Sequence, residues 1–321
     1  MTLLSRISDA LPILAGYPET YLVYDRNVAA PASVLAGACR ASMALDASEA
    51  AKTMDSVLAV CRWLLDAGAG RDAFLVAMGG GITTDLCGFA ASIYKRGIRF
   101  GFIPTTLLAQ VDAAIGGKNG VNLDGYKNMV GVIREPEFTL VCPPLLETLP
   151  TREWKGGLAE LLKTFLIDNT SGGYEKAVRH PDLIGNLISV AAAVKERIVA
   201  EDLYERGERK KLNLGHTFAH AIERCSGGSI SHGEAVSMGI ILAARLSARL
   251  GLCAPELPAR LQADFEAAGL PVQCPYSPET LAEAMEKDKK AFGGKVNFVL
   301  LRAVGEVCTV PLTVQEAIDN L

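Results

Sequence analysis

A short apolar run, Ala73–Met78, passes without a break into Gly79-Gly80-Gly81 and then Ile82-Thr83-Thr84-Asp85. A run with no polar side chain reads as a strand buried on both faces. Three glycines end it in a turn where backbone N–H groups stand bare, and a helix starting there adds the positive end of its dipole. The flanking segments repeat this layout. TYLVYD (20–25) reads as a strand ending at Asp25, and 48–68 as a helix stopped by Gly68. FGFIPTT (100–106) and FTLVCP (138–143) read as further strands. Strand alternating with helix predicts a parallel sheet covered by helices. The glycine turn is not GxGxxG, since Thr84 fills the last position. Alone, it fits a phosphate cradle and a plain tight turn equally well.

After Pro150 the texture becomes helical: WKGGLAELLKTFLI, LISVAAAVKERIVAEDLY, LGHTFAHAIERC and GEAVSMGIILAARLSARLG follow, with helix continuing to about Glu286. A last strand, VNFVLL (296–301), returns to the body of the domain. The predicted organisation is a nucleotide-type α/β domain over 1–150 and a mostly α-helical domain over 151–321. The 321 residues are 50% hydrophobic, enough for a full core in each part, which excludes a disordered chain or a disulfide miniprotein. Net charge is −4 with no basic block, so nucleic acid is not the expected partner. A small anion needs only a few local cations. The longest apolar stretch of note, Ala235–Ala244, is too short for a membrane span and reads as a buried helix. Asp9 interrupts the first apolar residues, so no secretory leader is expected. Eight scattered cysteines without a CxxC pair suit reduced thiols in the cytoplasm.

Three further groups of residues carry chemistry. Pro104-Thr105-Thr106, Asp112, Gly116-Gly117-Lys118 and Lys127-Asn128 follow a strand end; glycines beside lysines suit an anion held close to the backbone, and a solvated loop has the same composition. Three of the four histidines, His216, His220 and His232, fall in one short stretch. His216 and His220 lie about 40° apart on a helix, so spacing alone pairs them as metal ligands. Spacing does not say which two of the three bind. With Glu160 from GLAELLK, two imidazoles and a carboxylate would form an open Zn²⁺ site. Lys195, Glu205, Arg209 and Asn213 form either one solvated helical face or a holder of substrate carboxylate and hydroxyls.

GGGITTDLCGFAASIYKRG, FIPTTLLAQVDAAIGGKNGVN, YKNMVG, ETLPTREW, GLAELLK, NLGHTFAHAIE and SHGEAVSMG together resemble the 3-dehydroquinate synthase family, over about residues 20–305. The resemblance implies a Rossmann-like N-terminal domain with a parallel sheet, a helical C-terminal domain, tightly bound NAD⁺, a divalent metal (Zn²⁺, with Co²⁺ as the alternative) and a cytoplasmic homodimer. It implies conversion of 3-deoxy-D-arabino-heptulosonate 7-phosphate, a small anionic sugar phosphate, into 3-dehydroquinate and phosphate. Carried over, it puts NAD at Asp25, Asn27, Glu49, Lys52, Gly79, Gly80, Asp85, Thr105, Thr106, Lys127 and Thr148. The metal falls to Glu160, His216 and His232, which moves His220 to the substrate. Substrate contacts fall to Asp112, Lys118, Asn128, Lys163, Lys195, Arg209, Asn213, His220 and Lys289, and Arg96 would reach the phosphate of a neighbouring subunit. Ala113-Ala114 stand where the family often has Ser-Ser, and the first hairpin common in the family is reduced. Three other readings compete: a sister cyclase with a different sugar phosphate, a metal-dependent polyol dehydrogenase that would accumulate NADH, and a non-catalytic metal- or nucleotide-binding homologue.

Overall fold

The computed structural model describes residues 1–124, 126–289 and 294–321, with the backbone alone at 287–289. They divide into two compact units, Met1–Pro150 and Thr151–Leu321. The first unit runs β1 (Thr2–Leu3), α1 (Leu11–Leu14), β2 (Thr20–Asp25), α2 (Ala29–Ala36), β3 (Ala41–Leu45), α3 (Met54–Asp66), β4 (Phe74–Gly79), α4 (Gly81–Ile93), β5 (Arg99–Pro104), β6 (Lys118–Leu123), β7 (Tyr126–Ile133) and β8 (Leu140–Val141).

Strands β2 to β5 form a four-stranded parallel sheet in the order β3-β2-β4-β5. Every residue of β4 is buried, as an apolar run covered on both faces requires. Its side chains alternate between two cores. Leu75 and Ala77 join Val57, Val60 and Leu64 of α3, while Phe74, Val76 and Met78 join Leu22, Leu35 and Ile103. The chain leaves β4 through the glycine turn straight into α4, with Gly80 in the N-cap position.

Several expected elements change. The helix expected from residue 48 begins at Met54: Glu49–Ala51 is one 3-10 turn, Lys52 leaves helical geometry at ψ 66°, and the Thr53 hydroxyl accepts from Ser56 N to cap the helix. Its expected stop holds, since Gly68 takes φ +77°. The expected strand over 138–143 shrinks to β8, which pairs in parallel with β1, while Thr139 bridges Phe102 of β5. Cys142 leads into a 3-10 turn at Pro143–Leu146, which ends the strand. The segment read as a loop around Lys118 and Lys127 is the antiparallel hairpin β6–β7.

The second unit runs α5 (Thr151–Ile167), α6 (Gly173–Arg179), α7 (Ile184–Glu201), α8 (His216–Ser226), α9 (His232–Arg249), α10 (Leu257–Ala267), α11 (Pro278–Lys289), β9 (Val296–Ala303), β10 (Glu306–Leu312) and α12 (Val314–Ile318). The apolar run Ala235–Ala244 lies in α9 and is buried at every position. The last expected strand is longer than its apolar letters and pairs antiparallel with β10, a strand the sequence did not announce. Gly305, at φ +87°, makes the turn between them. Among the described residues, no helix is long and apolar enough to cross a membrane. All eight cysteines are free thiols.

Candidate active site

Three helices of the second unit meet where their glycines let them. A Cβ on Gly233 of α9 would stand 2.2 Å from the Cα of Gly156 on α5, and one on Gly239 would stand 2.3 Å from the carbonyl oxygen of Gly215. Both contacts are backbone on backbone. Glu160 lies one helical turn beyond Gly156, His216 follows Gly215, and His232 precedes Gly233. Each close approach therefore sits within a turn of a candidate ligand. The start of α9 is further fixed by a capping box between Ser231 and Glu234. Arg152, in the first turn of α5, clamps the same carboxylate through Nη2 at 2.6 Å and Nε at 3.1 Å.

The fully buried Glu160 places Oε1 3.6 Å from His216 Nε2 and 3.3 Å from His232 Nε2. One donor atom from each of the three lies within 4.8 Å of the others. Two imidazole nitrogens and a carboxylate oxygen converging this way fit the donor set of an open zinc site. This corrects the spacing-based pairing of His216 with His220. Their rings are 5.6 Å apart on one face of α8, yet Glu160 and the α9 terminus gather around His216.

The imidazoles are electrically unlike. Burial, and next the Lys163 ammonium, push His216 down to about 3, so it is neutral. Its Nδ1 faces the Leu214 carbonyl at 3.2 Å. A carbonyl only accepts, so the proton sits on Nδ1 and the Nε2 lone pair turns inward. At His232 burial opposes protonation, but Glu160 and Glu223 outweigh it and push the ring up to about 10. The His232 ring thus lies between two carboxylates, those of Glu160 and Glu223. Lys163, also buried, pairs with Glu160 Oε2.

Lys195 of α7 and Arg209 are buried, so the solvated-face reading of that group does not hold. Asp202 shapes the connection. Its carboxylate accepts backbone N–H groups of Arg206, Gly207 and Arg209 at 3.0, 2.7 and 3.1 Å, which hold it below the usual carboxylate range. Arg209 Nη1 donates to the Leu203 carbonyl at 2.7 Å, and Asn213 Nδ2 donates to Glu205. The His220 ring lies 6.5 Å from that of His232. Lys289 closes α11, and its side chain lies outside the described residues.

The first unit gathers a second set. A Cβ on Gly79 would strike Thr83 Oγ1 at 2.4 Å, and one on Gly80 would meet Thr106 Cγ2 at 3.0 Å. The Thr83 and Thr106 side chains therefore require glycine at both positions, at the mouth of α4. Thr105 N donates to the Gly79 carbonyl at 2.9 Å and locks β5 beside the turn. The buried Lys52 joins the two motifs, its Nζ donating to Asp85 Oδ2 and to Asn128 Oδ1, both at 2.6 Å. Asn122 extends the network: its Nδ2 donates to Glu49 Oε1 at 2.8 Å and its Oδ1 accepts from Asn128 N at 2.9 Å. Lys127 Nζ lies 4.0 Å from the same Glu49 oxygen. Neither Asn122 nor Glu223 was singled out from sequence. Each completes a contact between segments distant along the chain or between two helices, although Glu223 shares the His216 face of α8.

Other expected residues of the first unit have these surroundings. Asp25 Oδ1 accepts from its neighbour Asn27, at 2.9 Å from N and 3.0 Å from Nδ2. Thr148 is exposed, Lys118 is exposed at the start of β6, and Asp112 is half-buried in a π-helical turn at Ala109–Ala113. Arg96 is exposed and lines an open pocket with Arg71, Ile93 and Lys95. It belongs to a turn with positive φ at Lys95, Arg96 and Gly97.

The 3-dehydroquinate synthase N-terminal family matches residues 42–156, and the 3-dehydroquinate synthase C-terminal family matches residues 157–291. The chain is 38% identical over 325 residues to a 3-dehydroquinate synthase of Cereibacter sphaeroides, covering 95% of this chain and 88% of the relative. It is 44% identical over 259 residues to that of Pyrococcus abyssi, covering 80% of this chain and 77% of the relative. Among solved structures, ValA, a 2-epi-5-epi-valiolone synthase from Streptomyces hygroscopicus with NAD⁺ and Zn²⁺ bound, superposes with a TM-score of 0.87. It is 28% identical, over 99% of this chain and 94% of that one. The chain belongs to the 3-dehydroquinate synthase family.

Proposed function

We propose that this chain converts 3-deoxy-D-arabino-heptulosonate 7-phosphate into 3-dehydroquinate and inorganic phosphate, with NAD⁺ and a divalent cation, Zn²⁺ or Co²⁺. The observation that carries the reading is the convergence of Glu160, His216 and His232 donors within 4.8 Å, in a chain of this family. These three residues would hold the cation, which as a Lewis acid lowers the pKa of a bound substrate hydroxyl. NAD⁺ supplies a hydride acceptor that is restored within the cycle, so there is no net oxidation.

The chain's own groups do the rest. The bare Gly79–Gly80 backbone and the α4 N-terminus would take the pyrophosphate, with Asp25, Asn27, Glu49, Lys52, Asp85, Thr105, Thr106, Lys127 and Thr148 as the remaining NAD contacts. Lys163, Lys195, Arg209, Asn213, His220 and Asp112 would orient the substrate carboxylate and hydroxyls. Oxidation of the substrate carbon acidifies the neighbouring C–H, so phosphate can leave by β-elimination, the departing phosphate itself accepting that proton. Lys118, Asn128, Lys289 and a partner subunit's Arg96 would counter its charge as it departs. Reduction, ring opening and an internal aldol addition then close the carbocycle. Free thiols suit a reducing compartment, and the same reading assigns a cytoplasmic homodimer.

A sister cyclase is the second reading, because the overlay with a valiolone-type synthase is close. A phosphate-release assay separates them when run on the heptulosonate phosphate beside another seven-carbon and a six-carbon sugar phosphate, each with and without chelator. We expect chelator-sensitive release from the heptulosonate phosphate alone, with 3-dehydroquinate as product and no accumulated NADH. Release only from a different sugar phosphate would establish the sister reading. Bulk NADH would point to a dehydrogenase.

A further inference from the structure

His232 is engaged at both ring nitrogens. Nε2 lies 3.3 Å from Glu160 Oε1, and Nδ1 lies 3.4 Å from Glu223 Oε2. Glu223 is two helical turns after His216, on the same face of α8, and reaches across to the first residue of α9. Its carboxylate is only 8% exposed. An ionised carboxylate can only accept, so its ring partner must carry a proton on Nδ1. The same rule puts a proton on Nε2 beside Glu160; a cation bound there would displace that proton, while the Nδ1–H stays with Glu223, so the freed Nε2 lone pair would face the Glu160 side. His216 receives the same instruction from the Leu214 carbonyl at 3.2 Å. One ring is thus oriented by a peptide oxygen and the other by a charged side chain, and the second arrangement can be removed by mutation.

We propose that Glu223 is a positioning residue of the metal centre: through the Nδ1–H of His232 it fixes the tautomer and rotation of that ring, so that Nε2 is presented as a ligand beside Glu160. The inference rests on the reading of Glu160, His216 and His232 as the metal ligands. Glu223 does not touch the cation. Its charge increases the donor strength of Nε2 through the ring, which the neutral Leu214 carbonyl does only as a dipole. Its loss should therefore be read in metal affinity more than in folding.

The test titrates Zn²⁺ into chelator-stripped protein against a chromophoric competitor, for wild type and for Glu223→Ala, Glu223→Gln and Glu160→Ala. We expect Glu223→Ala to bind Zn²⁺ about 10- to 100-fold more weakly, the range seen when such outer partners are removed. Glu223→Gln keeps an oxygen that accepts from Nδ1 but loses the charge, and should recover part of that loss. In ¹⁵N-histidine-labelled zinc-loaded protein, His232 should show a protected Nδ1–H in wild type and Glu223→Gln, and lose that protection in Glu223→Ala. Wild-type affinity in Glu223→Ala, or equal weakening in the Ala and Gln variants, would overturn the proposal. Wild-type Zn²⁺ affinity in Glu160→Ala would instead overturn the metal-centre reading, so the two failures are distinguishable.

Discussion

Gly233 decides whether α5 and α9 can cross at all. A methyl group there would stand 2.2 Å from the Gly156 Cα, and backbone cannot swing aside as a flexible side chain can. We predict that Gly233→Ala destabilises by at least the roughly 1–3 kcal/mol of ordinary overpacking and lowers zinc stoichiometry with it. Gly37→Ala is the control: nothing lies within 4 Å of its Cβ position, and φ is −66°. That variant should be neutral or up to about 1 kcal/mol more stable, through the unfolded chain. Thermal unfolding with metal analysis checks both. The histidines offer a second contrast at this scale. His216→Ala should lose bound metal, whereas His220→Ala should retain it and lose turnover, because only His216 of the two has its donor atom in the Glu160 cluster. Elemental analysis of the purified variants decides this.

Between elements, the clamp from Arg152 on α5 to Glu234 on α9 holds the two helix starts together. Hydrogen bonds from Arg152, more than any other contact, hold the Glu234 carboxyl at about 2, against an ordinary 4.5. A carboxyl depressed in the folded state stabilises fully above its unfolded pKa, and loses that contribution as pH falls from about 4.5 toward 2. Glu234→Gln should therefore cost roughly 1–2 kcal/mol near neutral pH, after allowance for solvent screening. The gap between variant and wild type should narrow through that acid window, as urea unfolding at several pH values will show. The same scale explains what was legible beforehand. β2, β4 and β5 announce themselves because buried parallel strands are nearly continuous apolar runs. β3, with the mixed letters ASMAL, and β10, interrupted by Pro311, are half-exposed strands whose partners decide them. At the candidate site, the density of histidines is visible in one dimension. The convergence of three helices on Glu160 is not, because it depends on glycine contacts between residues as distant as 156 and 233. The Lys52–Asp85–Asn128 network is hidden for the same reason: it joins a 3-10 turn, a helix and a hairpin.

For the molecule as a whole, the candidate metal ligands all lie in the unit Thr151–Leu321, and the glycine turn lies in the unit Met1–Pro150. A ligand stabilises the residues that hold it, by an amount set by its concentration over its Kd. Hydrogen exchange should therefore show zinc slowing amides of α5, α8 and α9, and NAD⁺ slowing those at the start of α4. Zinc protection concentrated at the glycine turn, with none in α5, α8 or α9, would contradict the assignment. The topology of the first unit has a further consequence. Thr2 and Leu3 pair with Leu140 and Val141, a closure across nearly the whole unit. On the ribosome, residues 2 and 3 must wait for the segment that emerges after the central sheet has been synthesised. That edge of the fold is set by the end of translation of the unit rather than its beginning, and a stall before residue 140 would leave the first strand without its neighbour.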